Sequence, residues 1–171
     1  MTRPFPVRAM TRASLFAALI VVCSWISLPV ADIAFTLQTL GVFLALGILG
    51  GKWGTVSIFI YLLLGAVGLP VFSGFRGGIG ILAGVTGGYL WGFLVSGLIY
   101  WALERVGNVP ATVAAMAGCY LCGSAWFLLY SGGGLVFVLL RCVVPYLIPD
   151  GMKIALALTL SRRLKPALNR T

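Results

Sequence analysis

The sequence contains no histidine and three acidic residues in 171: Asp32, Glu104 and Asp150. Metal centres and general acid–base catalysis draw mostly on imidazoles and carboxylates. The inventory therefore argues against an enzyme, assigns no catalytic or metal-ligating residue and calls for no cofactor. Charge is also scarce, at 9% of residues, against about a quarter in an ordinary soluble domain. So few polar groups can neither cover a soluble globule nor solvate a disordered tail. The four cysteines, Cys23, Cys119, Cys122 and Cys142, all fall inside apolar stretches and imply no disulfide framework. Cys119-Tyr-Leu-Cys122 matches CxxC but has no second pair and no histidine with which to build a zinc site. Gly51-Lys52 is followed by Trp53, without the earlier glycine or the hydroxyl residue of a phosphate-binding loop. The chain does not itself bind nucleotide in that way, so active movement of a ligand would draw its energy from a partner.

What fills the chain is apolar sequence, 61% by composition, and 23 glycines. At roughly 20 apolar residues per bilayer crossing, it is expected to be an all-α membrane protein of six transmembrane helices, with residues 1–171 forming one integral membrane domain. The expected spans are 13–29, 37–49 (reaching back to Ile33 if it is to cross), 53–69, 86–103, 110–130 and 149–164. Pro110 suits a first helical turn. Pro145 and Pro149, four apart, would remove hydrogen bonds from the middle of a helix, so 135–144 is read as a short outer segment and 145–148 as a bend. Residues 70–84 hold five glycines and the isolated Arg76 and are read as a Gly-rich extracellular loop between helices 3 and 4. This loop is either a lid or a packed connector. The basic start followed by an apolar run also resembles a secretory signal with a conceivable cleavage site at Val30-Ala31. Continuing apolar sequence favours a retained first helix.

The formal charge of +9 is explained by its placement. Arg3, Arg8 and Arg12 precede the first apolar run, and Arg162, Arg163, Lys165 and Arg170 follow the last. With Lys52 and Arg105 in the inner turns, nine of the twelve cations fall on one side; Arg76 falls on the other, and Arg141 and Lys153 lie within apolar sequence. The positive-inside rule then puts both termini in the cytoplasm of a cell in whose plasma membrane the chain resides, with lipid as its neighbour and no nucleic acid partner.

Asp150 and Lys153 lie three residues apart, on one helix face. Twelve residues separate Asp150 from the inner anchor Arg162, or about 18 Å of helix, which places the acid well inside a hydrocarbon layer of about 30 Å. An ionised group there costs at least ~2 kcal/mol unless a partner, water or ligand meets it. Asp150 is also expected in the first turn of its helix, where free N–H groups favour an anion. Two readings stay open: a self-neutralising ion pair, or a ligand site facing outward. The second would add the polar groups of Thr36, Gln38 and Thr86 and aromatic walls from Phe72, Phe75, Tyr89 or Tyr146, with Arg76 available to a carboxylate. Such a largely apolar pocket suits a small amphiphilic molecule.

Four blocks then carry a resemblance over nearly the whole chain: Phe35-Thr-Leu-Gln38-Thr-Leu-Gly-Val42, Tyr61-Leu-Leu-Leu-Gly65-Ala-Val-Gly-Leu-Pro70-Val-Phe72, Gly84-Val-Thr86-Gly-Gly-Tyr89-Leu90 and Pro145-Tyr146-Leu-Ile-Pro-Asp150-Gly-Met-Lys153. In these the sequence resembles the BioY family, the biotin-specific substrate-capture subunits (S components) of energy-coupling factor (ECF) transporters. The resemblance implies six transmembrane helices, an outward-facing biotin pocket, and Asp150 and Lys153 as the ligand-contacting acid and lysine. It further implies a membrane coupling subunit and a pair of cytoplasmic ATPases as partners, docking on the Ala13-x-x-x-Ala17 face of helix one. The alternatives are an S component for another vitamin and a membrane scaffold subunit that transports nothing.

Overall fold

The computed structural model describes residues 7–28 and 35–168. Arg3, Pro29, Val30, Ala31, Asp32, Ile33 and Arg170, to which the sequence reading gave tail, span-end, cleavage and turn positions, lie outside the described residues. Seven helices form among the described residues, against six expected.

Helix α1 (Val7–Trp25) starts six residues before the expected 13, so Arg8 and Arg12 ride on the helix itself. Its buried stripe of Ala13, Ala17, Ile20, Val21 and Ser24 follows the helical period. Ala13 and Ala17 are 0% and 1% exposed, so the chain's own packing covers both of the residues expected on a partner-docking face. Their smallness serves the same close approach seen at Gly41, where an added β-carbon would lie 3.2 Å from the Ile20 Cα. A short antiparallel ribbon follows, β1 (Ser27–Leu28) on β2 (Phe35–Thr36). Because residues 35–36 are extended, the second span does not reach back toward Ile33.

Helix α2 (Gln38–Ala66) merges the expected second and third spans, but Gly50 breaks it at φ 81°, ψ 171°. In an unbroken helix Leu46 and Gly54 would stand about 12 Å apart. Instead a β-carbon added to Gly54 would lie 2.7 Å from the Leu46 Cα, so the chain folds back on itself at Gly50. Glu104 secures this break by accepting a 2.6 Å hydrogen bond from the Gly51 N–H, at a helix start where a carboxylate is favoured. The core is built round these two arms: Val42, Leu46, Ile58 and Tyr61 pack with Ile20, Phe93, Tyr100 and Ala157.

The Gly-rich stretch is a packed segment. Its backbone pairs Phe72 with Arg76 and forms the one-turn α3 (Ile79–Leu82). The ring of Phe72 fills the space a side chain at Gly65 would need. Three indoles hold its carbonyls: Trp25 donates to Pro70 at 2.8 Å, Trp91 to Leu82 at 3.2 Å and Trp126 to Gly84 at 3.0 Å. Backbone that must leave helical geometry beside apolar helices needs such internal partners.

Helices α4 (Gly87–Leu103) and α5 (Asn108–Ser131) fall within two residues of expectation. The last two elements do not. Helix α6 (Leu135–Cys142) ends at Val143 (φ −122°, ψ −59°), and α7 (Val144–Leu168) runs through Pro149. The bend thus precedes Pro145, whose missing N–H is harmless in a first turn. Asp150 is consequently a second-turn residue, and the expected stabilisation by the helix start is withdrawn. By length and composition α1, α2 and α5 are apolar enough to cross a membrane, and α6 with α7, bent by 41°, would make a fourth span. Helix α4, at 17 residues, is a shorter apolar helix.

Candidate functional site

Helix α7 brings Asp150 and Lys153 to the inner wall of a cavity of about 800 Å³, counting the space at its open mouth. Both are buried, 6% and 7% exposed, and their ion pair closes at 2.8 Å. Each is held from a second element. Tyr120 of α5 donates to the other Asp150 oxygen at 2.8 Å. Lys153 donates to the Thr36 carbonyl of β2 at 2.6 Å, and its Nζ lies 3.8 Å from the centre of the Phe35 ring. An ammonium has three N–H groups. Two are therefore used within the chain, and one remains.

Nine of the ten expected ligand-binding residues line this one cavity: Thr36, Gln38, Phe72, Arg76, Thr86, Tyr89, Tyr146, Asp150 and Lys153. Phe75 does not. It adopts φ 56°, is 64% exposed and stacks on Trp25 with centroids 5.1 Å apart. Arg76 stays near its own loop, its Nε donating to the Ser73 carbonyl at 3.1 Å. Tyr89 donates to the Cys142 carbonyl at 2.8 Å, tying α4 to the end of α6. Gln38, 5% exposed, has an amide nitrogen with no hydrogen-bond partner. A buried unpaired donor costs roughly 1–3 kcal/mol, so this one is a demand for an acceptor inside the cavity.

Sequence reasoning missed Tyr120, Phe35 as a cation's neighbour, and the lining residues Met116 and Cys119. Tyr120 carried a usable signal. A phenol within an apolar helix needs a hydrogen-bond partner, and intramembrane carboxylates are few enough here to search.

Folded apolar helices around one cavity, with an ion pair and an unsatisfied amide on its wall, define a small helical membrane protein built to hold a polar-headed solute. The sequence profile of the BioY family matches residues 1–170, and the chain belongs to that family. It is 37% identical to the "Probable biotin transporter BioY" of Pyrococcus horikoshii over 89% of this chain and 93% of the relative. It is 41% identical to the "Biotin transporter BioY" of Rhodobacter capsulatus over 78% and 71% of the two chains. The match to the "Biotin transporter BioY" of Thermotoga maritima, at 48% identity, spans 58% of this chain and 59% of that protein. Among solved structures the fold is similar to the crystal structure of the S-component for biotin from an ECF-type ABC transporter, with a TM-score of 0.87 and 26% identity over 97% of this chain and 95% of the other.

Proposed function

We propose that the chain captures biotin from the outer face of the cell membrane as the S component of an ECF-type transporter. The observation that carries this is the buried Asp150–Lys153 pair with the unpartnered Gln38 amide on the wall of one open cavity, in a chain whose relatives are named biotin transporters. A ureido ring offers N–H donors to the carboxylate and a carbonyl to Gln38 and the remaining Lys153 donor. Phe72, Tyr89 and Tyr146 supply walls for its apolar ring, and Arg76 reaches the valerate carboxylate at the mouth. Phe75, stacked on Trp25, keeps a supporting place in the loop.

Six crossings follow if the two arms of α2 are counted separately and α6 with α7 is one bent span, with both termini cytoplasmic. The folding back at Gly50 supports that count. A membrane coupling subunit with two ATPases would supply the energy, since the chain carries no phosphate-binding loop of its own, and lipid would cover the exposed leucines and valines of the helices.

The test is thermal stabilisation of the purified chain across biotin, riboflavin, thiamine and pantothenate, because a ligand that binds the folded state raises its melting temperature by mass action. Stabilisation by biotin alone is expected. Stabilisation by another vitamin and not by biotin overturns the cargo, and stabilisation by none favours a scaffold.

A further inference from the structure

Asp150 is gripped on both oxygens from two directions. Lys153 takes Oδ1 from one turn along the same helix, and Tyr120 takes Oδ2 from across the cavity, each at 2.8 Å. The two grips are not equivalent. The terminal torsion of an aspartate is broad and nearly two-fold, and one flexible ammonium fixes a point on the carboxylate without fixing its plane. A second donor on the opposite oxygen fixes the plane as well. Helices α5 and α7 approach each other closely at few points.

We propose that Tyr120 is a positioning residue for ligand selection: its phenol holds the Asp150 carboxylate so that the lone pairs left over by Lys153 and Tyr120 face the cavity and accept one ureido N–H. A carboxylate has about four lone-pair sites on its two oxygens, of which the chain uses two. The inference rests on the biotin reading above, and deepens it by predicting which ligand atom feels a residue that acts through Asp150.

The experiment compares the parent chain with Tyr120→Phe, which keeps the ring and removes the hydroxyl, by titrating each with biotin and with the two biotins methylated at one or other ureido nitrogen. The ligand-free melting temperature of each variant is recorded alongside. Tyr120→Phe is expected to weaken biotin about tenfold, the scale of one hydrogen bond to a charged group. It should weaken one methylated analogue by a similar factor, and leave unchanged the analogue whose methyl blocks the N–H that meets Asp150. An equal loss for all three ligands makes Tyr120 a packing residue and overturns the proposal, as does no loss for any. Should Tyr120→Phe melt far below the parent, Tyr120→Trp, which keeps a donor in an aromatic body, is titrated with the same three ligands; it must then retain the parent's ranking of them, and a lost ranking overturns the proposal. A parent chain that binds none of the three ligands overturns the biotin reading itself, and this inference with it.

Discussion

Removing the two charges of the cavity separately and together distinguishes a binding site from a structural ion pair. Asp150→Asn leaves the Lys153 ammonium, 7% exposed, with the Thr36 carbonyl and the Phe35 ring as its remaining company. Taking one partner from a buried pair costs roughly 3–5 kcal/mol, a large share of the ~5–15 kcal/mol that holds a domain folded. Adding Lys153→Met removes the stranded charge with a side chain of similar length, and replacing both partners of a buried pair by uncharged groups is often close to neutral. The Thr36 carbonyl still loses its 2.6 Å donor, so recovery should stop about 1 kcal/mol short of the parent. The assay is detergent-phase melting with and without biotin. The single variant should melt well below the parent and the double variant close to it. Neither should respond to a biotin concentration that, at a hundred times the parent's Kd, stabilises the parent by about 2.7 kcal/mol. A double variant that biotin stabilises as strongly as the parent would show that the pair only holds helices together.

Four further substitutions probe the architecture and the site. Gly54→Val puts atoms within 2.7 Å of the Leu46 backbone, where neither arm of α2 can give way, and should abolish recovery of folded protein; Gly134→Ala, with open space and φ −75°, should melt like the parent, and an equal loss for both would refute the close-packed hairpin. Gln38→Glu turns the unpartnered amide donor into an acceptor, so it should weaken biotin by ten-fold or more, the effect of opposing two acceptors, while improving the relative affinity of 2-iminobiotin, which presents donors in place of the carbonyl; an unchanged ratio in competition titrations refutes the assigned contact. Trp126→Phe leaves the Gly84 carbonyl with the Gly87 N–H alone and should raise amide hydrogen exchange across residues 79–87, with no change expected in α1; unaltered exchange there would mean the indole holds nothing.

Much of this molecule was legible because apolar length and proline are local signals. Helix α4 and helix α5 were bounded to within two residues by glycine, proline and an acidic turn, and the Gly50 break was visible as a glycine pair before a lysine. The pairing of Asp150 with Lys153 followed from helical spacing, which fixes a shared face whatever surrounds it. The misses have one cause, which is that tertiary partners are not local. Pro149 reads as a helix start, yet α7 continues through it from Val144, since a helix that loses one hydrogen bond at a proline survives when its neighbours hold it. Ala13 and Ala17 signal close approach, but spacing does not say to what; within the chain both are buried. Tyr120 stands thirty residues from the carboxylate it serves, beyond any periodicity.

The loop between the second arm of α2 and α4 shows how glycine content misleads when read alone. Its composition suits a flexible lid and a packed connector equally. The indoles decide between them for its two roots, because Pro70, Leu82 and Gly84 each offer a carbonyl to a tryptophan on a different helix, and Ser24 adds its hydroxyl to Val71. These anchors fix the positions of Phe72 and Thr86, which face the cavity, whereas Gly74, Phe75 and Gly78, all at positive φ, form a tip that bears Arg76. The part of the wall made by Phe72 and Thr86 is thus set before any ligand arrives. A site arranged this way converts its contacts into affinity with little loss to reorganisation, which is what capture of a dilute solute requires.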